Sequence, residues 1–191
     1  GDYLYICIVK KSFATYLRIG VLAAIMLLAF NRADAQLLVG AKSSVKEQLQ
    51  NSALNKESKA EKLVNDLLNY ASKFKGTRYR RGSSSPKGFD CSGFTSFVYG
   101  KFGYDLNRSS SAQVSNGEPV ELDDLQPGDL VFFNGRAIGK RIGHVGIVTK
   151  VNNDQTFEFI HSACGKGVTV SKSEEAYYSR RYMGACRVIN D

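Results

Sequence analysis

Apolar residues recur at helical spacing in a segment that opens with a capping pattern. Ser58 and Glu61 have the Ser-x-x-Glu spacing of a helix N-terminal capping box. The positions behind them fall on one helical face: Ala60, Leu63, Val64, Leu67, Leu68, Ala71 and Phe74. This spacing predicts an amphipathic helix that ends at Gly76.

A second apolar repeat follows a glycine- and serine-rich loop over residues 77–90. It predicts a second helix, closed by Gly103, whose apolar members are Phe94, Phe97, Val98 and Phe102. Residues 104–128 are predicted to be loop. Beyond them, short apolar runs bounded by turn residues predict strands at Asp129–Phe133, His144–Val151, Thr156–Ser162, Gly167–Lys172 and Gly184–Ile189. Helices followed by strands predict an α+β domain whose antiparallel sheet is covered on one face.

The first 35 residues have the parts of a secretory signal peptide. Lys10, Lys11 and Arg18 precede an apolar run from Ile19 to Phe30, and Ala33-Asp34-Ala35 offers small residues at the two positions that signal peptidase reads. The run is shorter than the ~20 residues that span a bilayer. We therefore predict export to the periplasm or the medium, without a membrane anchor in the mature chain.

Composition permits one folded domain after the signal peptide. The chain has 191 residues, of which 43% are hydrophobic, and a formal charge of +8. This apolar content excludes wholesale disorder. The basic residues form no dense cluster with interleaved aromatics, so we expect no nucleic-acid partner. We predict a signal peptide at 1–35, a polar linker at 36–57 and a single domain at 58–191, with no prediction of oligomeric state.

Three cysteines remain after residue 35: Cys91, Cys164 and Cys186. An odd number in an oxidising compartment leaves at least one thiol without an intramolecular partner. Cys164 and Cys186 could pair with each other or could both be buried free thiols. The sequence leaves both alternatives open, because the distance between their Cα atoms decides the matter.

Cys91 lies where the glycine-rich loop meets the second predicted helix. The positive end of the helix dipole lowers the pKa of a thiol at that position, and the free N–H groups there can bind an oxyanion. Asp90, just before it, can cap the helix or bind a substrate cation. A lone cysteine is nevertheless more often a small buried hydrophobe.

The two histidines of the chain, His144 and His161, lie on adjacent predicted strands. A symmetric hairpin that pairs Val151 with Thr156 makes the two histidines diagonal neighbours on one face, roughly 7–8 Å apart. A single β-bulge would reverse this parity. Together with Cys91 they provide a nucleophile, a base and an orienting group.

In this hypothesis His144 takes the thiol proton and later gives it to the leaving amine, while His161 holds the ring of His144 in the productive tautomer. A zinc site formed by Cys91 and both histidines is the main alternative. No CxxC or HExxH pattern accompanies them. We therefore expect neither a metal nor another cofactor.

Several motifs occur in the order known from one enzyme family. They include the nucleophile segment Gly88–Phe94, the base strand Gly143–Val148 and the third catalytic position in Phe159–Ser162. Over most of residues 60–190 the chain resembles the NlpC-type cell-wall peptidases, the bacterial papain-like enzymes of peptidoglycan. Arg81 departs from the pattern, since the family usually has a glycine there.

The resemblance implies a papain-like α+β fold, with N-terminal helices packed on an antiparallel sheet. It implies a cysteine endopeptidase that cleaves peptidoglycan stem peptides, usually between D-γ-glutamate and diaminopimelate or lysine. It also implies that Tyr79 contacts the reacting centre and that Asp90 and Ser92 hold the amino end of the substrate. The alternatives are an N-acetylmuramoyl-L-alanine amidase or an acyl transferase on the same site, and a non-catalytic wall-binding module.

Overall fold

The computed structural model describes residues 59–135 and 141–190, together with positions 46, 48, 50, 52 and 55. The chain divides into two compact units, Gly1–Asn55 and Lys56–Asp191, and the second contains every element discussed below. The isolated positions are helical and fall inside the predicted linker. The predicted signal peptide lies outside the described residues, as does Ser58 of the predicted capping box. In the described part, no helix is both long and apolar enough to cross a membrane.

The described elements of this unit confirm the predicted α+β organisation. Helix α1 is described from residue 59 to residue 72. It is followed by β1 (Ser84–Ser85), β2 (Gly88–Phe89), α2 (Cys91–Gly100), α3 (Ser110–Gln113), β3 (Glu118–Val120), β4 (Leu130–Asn134), β5 (Ile142–Val151), β6 (Phe157–Ala163), β7 (Gly167–Lys172), α4 (Ala176–Ser179) and β8 (Tyr182–Arg187). Strands β3 to β8 form one antiparallel sheet in the order β3-β8-β4-β5-β6-β7, and β1 pairs with β2.

The five strands predicted from the sequence are confirmed, with ends that differ by at most two residues. The prediction that residues 104–128 are entirely loop is wrong, because α3 and β3 lie within them. Strand β3 has three residues and helices α3 and α4 have four each. Elements of this length are too short to show a hydrophobic period.

Helices α1 and α2 cover one face of the sheet, as predicted. Leu67 of α1 and Phe94 and Val98 of α2 share a buried cluster with Phe132 and Val145 of the sheet. The expectation that the other face is uncovered is wrong, since it carries a second buried cluster. The members of that cluster are Leu125, Val131, Phe133, Val148, Phe157, Phe159, Tyr178 and Ala185. Its outer layer includes Tyr178 of α4, an element that the sequence pattern did not reveal.

Strands β5 and β6 form the hairpin that carries both histidines. Next to the turn, Val151 pairs with Phe157, so the predicted pairing of Val151 with Thr156 is wrong. Thr156 belongs to the turn, because its carbonyl accepts a hydrogen bond from the N–H of Asn152. Gln155 adopts a positive φ of 65° there. The turn is therefore longer than the symmetric hairpin assumed.

A β-bulge between Val148 and Lys150 corrects the register before the histidines are reached. Beyond the bulge, Val148 lies opposite Phe159, which is the pairing that the symmetric hairpin predicts. The offset at the turn and the bulge cancel. His144 and His161 consequently lie on one face of the sheet, as predicted, and their rings are in contact.

Candidate active site

Cys91 is the first residue of α2, and the backbone around it is tightly specified. Asp90 is extended (φ −85°, ψ 177°), and its Oδ1 accepts a hydrogen bond from the N–H of Gly93 at 2.6 Å. This confirms Asp90 as the helix N-cap. A Cβ atom at Gly93 would lie 2.2 Å from the carbonyl oxygen of Ser83. Only glycine permits this close approach of the loop to the helix that begins at Cys91.

The carboxylate of Asp90 is also held by Arg108, which was not among the predicted site residues. Nη1 of Arg108 donates to Oδ1 at 3.0 Å and Nη2 donates to Oδ2 at 2.7 Å. The N–H of Gly82 donates to Oδ2 at 2.8 Å, and Nη1 of Arg108 also donates to Oγ of Ser92 at 3.0 Å. Burial raises the pKa of Asp90, but the hydrogen bonds from Arg108 and the backbone outweigh burial and keep it below its usual range.

The side chain of Gln113 joins the first turns of α2 to the loop before α3. Its Nε2 donates to the carbonyls of Ser92 (3.1 Å) and Asn107 (2.8 Å) and to Oγ of Ser96 (2.9 Å). Its Oε1 accepts from Oγ1 of Thr95 at 2.7 Å. The amide is fully buried. This network fixes the loop that carries Arg108.

The thiol of Cys91 lies beside strand β5, where the backbone N–H of Val145 contacts it. Burial raises the pKa of Cys91, and the Asp90 carboxylate adds to this effect. The N–H groups of Ser92 and Val145 lower the pKa only in part. The lowered pKa predicted from the helix dipole is therefore wrong for the free protein, because only 9% of Cys91 is exposed and burial dominates.

The two imidazoles form a direct contact. Nε2 of His144 lies 2.7 Å from Nδ1 of His161, and the rings meet edge to face at 4.9 Å. Burial lowers the pKa of His144 to about 4 and, with the neighbouring His144, that of His161 to about 2. Both rings are thus neutral at neutral pH. Nδ1 of His144 is the nitrogen left to accept a proton from a thiol.

Gly146 makes room for His161 on the neighbouring strand. A Cβ atom at Gly146 would lie 2.6 Å from Cδ2 of Phe159 and 3.1 Å from Cβ of His161. Real side chains do not tolerate the first distance, and the second is tighter than ordinary packing. The absence of a side chain at Gly146 therefore leaves the space that Phe159 and His161 occupy on β6.

Hydrogen bonds join the loop before Cys91 to strands β6 and β7. Oγ of Ser162, in β6, donates to the carbonyl of Phe89 at 2.8 Å, and both residues are buried. The N–H of Gly76 donates to the carbonyl of Val168, and the N–H of Val168 donates to the carbonyl of Thr77, each at 2.8 Å. The loop before Cys91 is thereby attached to β6 and β7.

Tyr79 lies near Cys91. It forms a single parallel bridge with Phe89 and is partly buried. Burial raises the pKa of Tyr79, and the charges of Cys91, Asp90 and Cys164 raise it further. The structure therefore places Tyr79 close enough to Asp90 and Cys91 for their charges to affect its pKa.

Tyr178 of α4 completes the histidine cluster and was not predicted. Its Oη lies 3.4 Å from Nε2 of His161, and its ring centroid is 5.4 Å from that of His161 and 6.5 Å from that of His144. Burial raises the pKa of Tyr178, and a hydrogen bond with Ser171 lowers it in part. No sequence signal marks this residue, since α4 is too short to have a period.

The other cysteines and Asp129 lie outside the histidine cluster. Cys164 and Cys186 are both free thiols, and Cys164 is exposed, so neither the disulfide nor the pair of buried thiols is found. Asp129 forms an ion pair with Arg187 at 2.8 Å, and its Oδ2 accepts a hydrogen bond from the N–H of Gln126 at 2.8 Å. Among the residues that the structure describes, no group of three or more His, Cys, Asp or Glu side chains is arranged to hold a metal ion.

Helices packed on a six-stranded antiparallel sheet, with a cysteine at a helix start beside the strand that carries one of two paired histidines, define a papain-like domain. The chain belongs to the NlpC/P60 family, whose sequence model matches residues 76–187. The NlpC-type resemblance and the papain-like α+β fold predicted from the sequence are confirmed.

Curated relatives and a solved structure support this assignment. The chain is 38% identical over 125 residues to the murein DD-endopeptidase MepS/murein LD-carboxypeptidase of Escherichia coli. The matched region covers 65% of this chain and 62% of that protein. It is 36% identical over 115 residues to a probable endopeptidase NlpC homolog of Haemophilus influenzae, over 60% of this chain and 57% of that protein. A crystal structure of an NlpC/P60 family protein from Bacillus cereus has a TM-score of 0.60 and 32% identity, over 66% of this chain and 40% of that one. The chain thus spans about three-fifths of the length of the curated relatives it matches.

Proposed function

We propose that this protein is a cysteine peptidase that hydrolyses amide bonds in the stem peptides of peptidoglycan. Cys91 is the nucleophile, His144 the general base and His161 the orienting group. The observation that carries the proposal is the 2.7 Å contact between Nε2 of His144 and Nδ1 of His161. His144 lies on β5, the strand that borders the Cys91 thiol. The names of the relatives, murein endopeptidase and probable endopeptidase, support the substrate class.

The proposed reaction uses Nδ1 of His144, the ring nitrogen that does not contact His161. Nδ1 of His144 takes the proton of the Cys91 thiol as the sulfur attacks the amide carbon. The C–N bond then breaks, and His144 gives the proton to the departing nitrogen, which leaves a thioester on Cys91. Water hydrolyses the thioester, and its proton returns through His144 to the thiol. Because the resting thiol and imidazole are both neutral, proton transfer accompanies attack instead of preceding it.

Backbone N–H groups at the start of α2 are suited to stabilise the oxyanion of each tetrahedral intermediate, as they carry the positive end of the helix dipole. Tyr79 lies beside Cys91 and would contact the reacting centre. Asp90 and Ser92 would hold the amino end of the substrate, in competition with Arg108. The side chain of Arg108 is 48% exposed and would have to release Asp90 when such a substrate binds.

Two bonds are candidates for cleavage. The family resemblance favours the bond between D-γ-glutamate and diaminopimelate or lysine, in a stem whose free amino end reaches Asp90. The name of the E. coli relative, a DD-endopeptidase, favours a bond in the cross-link between stems. The engagement of Asp90 by Arg108 supports this second candidate, because a cross-link substrate needs no ammonium at Asp90.

The deciding experiment is digestion of purified, cross-linked peptidoglycan and of free stem peptides, with products identified by mass. The proteins compared are residues 36–191, the same chain with Cys91→Ala, and a Cys164→Ala control that removes the exposed thiol. We expect the first and third to release peptides and Cys91→Ala to release none. Products ending in γ-glutamate would identify cleavage between D-γ-glutamate and the third stem residue. Single stems released from cross-linked dimers would identify cleavage in the cross-link.

Other products would redirect the proposal. Free lactyl-glycan and intact stem peptides would indicate the amidase, and new peptide linkages would indicate an acyl transferase. A reduced protein that binds the wall and releases nothing would replace the peptidase with a wall-binding module. Retention of the whole Cys91, His144 and His161 set speaks against that last alternative, since binding alone requires none of these side chains.

We further propose that the enzyme is exported, as the predicted signal peptide at residues 1–35 indicates. Its substrate then lies in the periplasm or outside the cell. Mass analysis of the mature protein from an expressing bacterium is expected to place its first residue at Gln36. An unprocessed chain in the cytoplasm would contradict export without bearing on the chemistry.

A further inference from the structure

The second ring nitrogen of His161 is directed at a tyrosine. Nδ1 of His161 contacts His144 at 2.7 Å, and Nε2 lies 3.4 Å from Oη of Tyr178. The imidazole is fully buried, and the tyrosine is 9% exposed. In the described part of the chain, Tyr178 is the hydrogen-bond partner of that nitrogen. A buried N–H has to be paired, so the hydroxyl of Tyr178 bears on where the proton of His161 resides.

Two proton arrangements satisfy the contact between the histidines when both rings are neutral. In the first, Nε2–H of His144 donates to Nδ1 of His161, and His161 carries its own proton on Nε2. In the second, Nδ1–H of His161 donates to Nε2 of His144, which puts the proton of His144 on Nδ1. Only the first arrangement leaves Nδ1 of His144 free to accept the thiol proton.

We propose that Tyr178 is a positioning residue whose hydroxyl accepts the hydrogen bond from Nε2–H of His161. It thereby holds the histidine pair in the arrangement that makes His144 a base. The inference rests on the proposed peptidase function and adds Tyr178 to the proposed set of Cys91, His144 and His161. Tyr178 does not touch the substrate or the reacting atoms in this account, and it acts through His161 alone.

Removal of the hydroxyl has a directional effect. Without it, Nε2–H of His161 would be a buried donor with no acceptor, whereas an unprotonated Nε2 would only be a lone pair without a donor. Orphaned buried N–H groups are the rarer and costlier of the two. Tyr178→Phe should therefore shift the pair toward the unreactive arrangement, while the ring keeps its contacts with Phe133 at 5.3 Å and Phe159 at 4.9 Å.

The first test is a nitrogen-15 NMR spectrum of the imidazoles at pH 7, in the protein without substrate. The chain has two histidines, so the two spin systems are those of His144 and His161. The parent is expected to carry both protons on Nε2, and Tyr178→Phe to gain Nδ1–H character in His161. Tyr177→Phe is the matched control, because Tyr177 is 52% exposed and packs on Arg181. A parent with the proton of His161 on Nδ1 overturns the proposal, as does an unchanged spectrum in Tyr178→Phe.

The second test is kinetic and uses the substrate identified by the digestion experiment. Loss of one neutral hydrogen bond should lower kcat by about 3- to 10-fold in Tyr178→Phe and leave KM within about twofold. Equal kcat values in Tyr178→Phe and Tyr177→Phe would overturn the positioning role. If no wall substrate is cleaved by the parent, the peptidase proposal fails, and the NMR result still decides which arrangement Tyr178 supports.

Discussion

Ser162 donates its hydroxyl hydrogen bond to the carbonyl of Phe89 at 2.8 Å. Ser162 follows His161 in β6, and Phe89 stands two residues before Cys91. The bond therefore joins the strand that carries His161 to the loop that precedes Cys91. It is buried at both ends, so the distance between the two halves of the site does not depend on solvent-exposed contacts.

Ser162→Ala tests this connection. We expect a loss of about 0.5–1.5 kcal/mol in the free energy of unfolding, because one buried hydrogen bond is lost while the Phe89 carbonyl keeps its bond from the N–H of Arg80. We also expect a lower kcat, since the loop before Cys91 gains freedom. Chemical denaturation and steady-state kinetics measure the two effects. Ser115→Ala, at an exposed hydroxyl, is the control and should leave both unchanged.

Asp90→Ala and Asp90→Asn separate the helix cap from the ion pair. Alanine removes both and should cost at least about 1–2 kcal/mol of stability, whereas asparagine retains an N-cap acceptor and loses only the charge that binds Arg108. Denaturation curves of the two variants and the parent give the difference. Equal losses in both variants would mean that the cap contributes nothing, contrary to its 2.6 Å hydrogen bond with Gly93.

The lowered pKa of Asp90 also predicts that its contribution to stability is lost in acid. Because the folded pKa of Asp90 is lowered, its contribution is fully present above its ordinary pKa near 3.9 and disappears as pH falls through the folded value. The stability difference between the parent and Asp90→Asn should therefore shrink below about pH 4. Denaturation midpoints at pH 3 and pH 7 check it, and an unchanged difference would contradict it.

The buried histidines predict a second, earlier loss of stability. The unfolded chain binds a proton on each imidazole as pH falls through about 6.5, while folded His144 stays neutral to about pH 4 and His161 to about pH 2. Stability should fall as pH drops from about 6.5 towards 4, with a slope of about 1.4 kcal/mol per pH unit for each histidine. His161→Asn should remove its share of the slope. A flat profile in the parent over this window would show that the imidazoles are accessible to protons.

Gly146→Ala tests the space beside His161. The added Cβ would lie 2.6 Å from the ring of Phe159 and 3.1 Å from Cβ of His161. Such overpacking should cost about 1–3 kcal/mol and lower kcat by displacing the orienting ring. The control is Gly100→Ala, at a helix end with no atom within 4 Å of the new methyl group, which should be neutral or slightly stabilising. Wild-type kcat in Gly146→Ala would show that β6 can shift without misplacing His161.

Features set by local pattern could be predicted from the sequence. The helices at Leu67 and Phe94 follow from apolar period, the N-cap from the residue type of Asp90, and the shared histidine face from strand alternation. The last inference succeeded although the pairing beside the turn was wrong, because the β-bulge reversed the parity a second time. A symmetric hairpin was thus correct at the histidines and incorrect at Thr156.

Properties that depend on tertiary surroundings could not be predicted. The helix dipole alone predicts a lowered pKa for Cys91, and only the folded structure shows that burial outweighs it. Arg108 and Tyr178 reach the site from loops and short helices that have no hydrophobic period. Their partners, Asp90 and His161, lie 18 and 17 residues away along the chain, so no local spacing could associate them.

The β-bulge between Val148 and Lys150 separates the hairpin tip from the part of the ladder that carries the histidines. Pairing on the far side of the bulge has the register that places His144 and His161 on one face. Asn153, Asp154 and Gln155 are exposed at that tip. A peptide tag or a fluorophore-binding sequence inserted after Asp154 should therefore be tolerated by the fold, which makes this turn a practical place to label the protein.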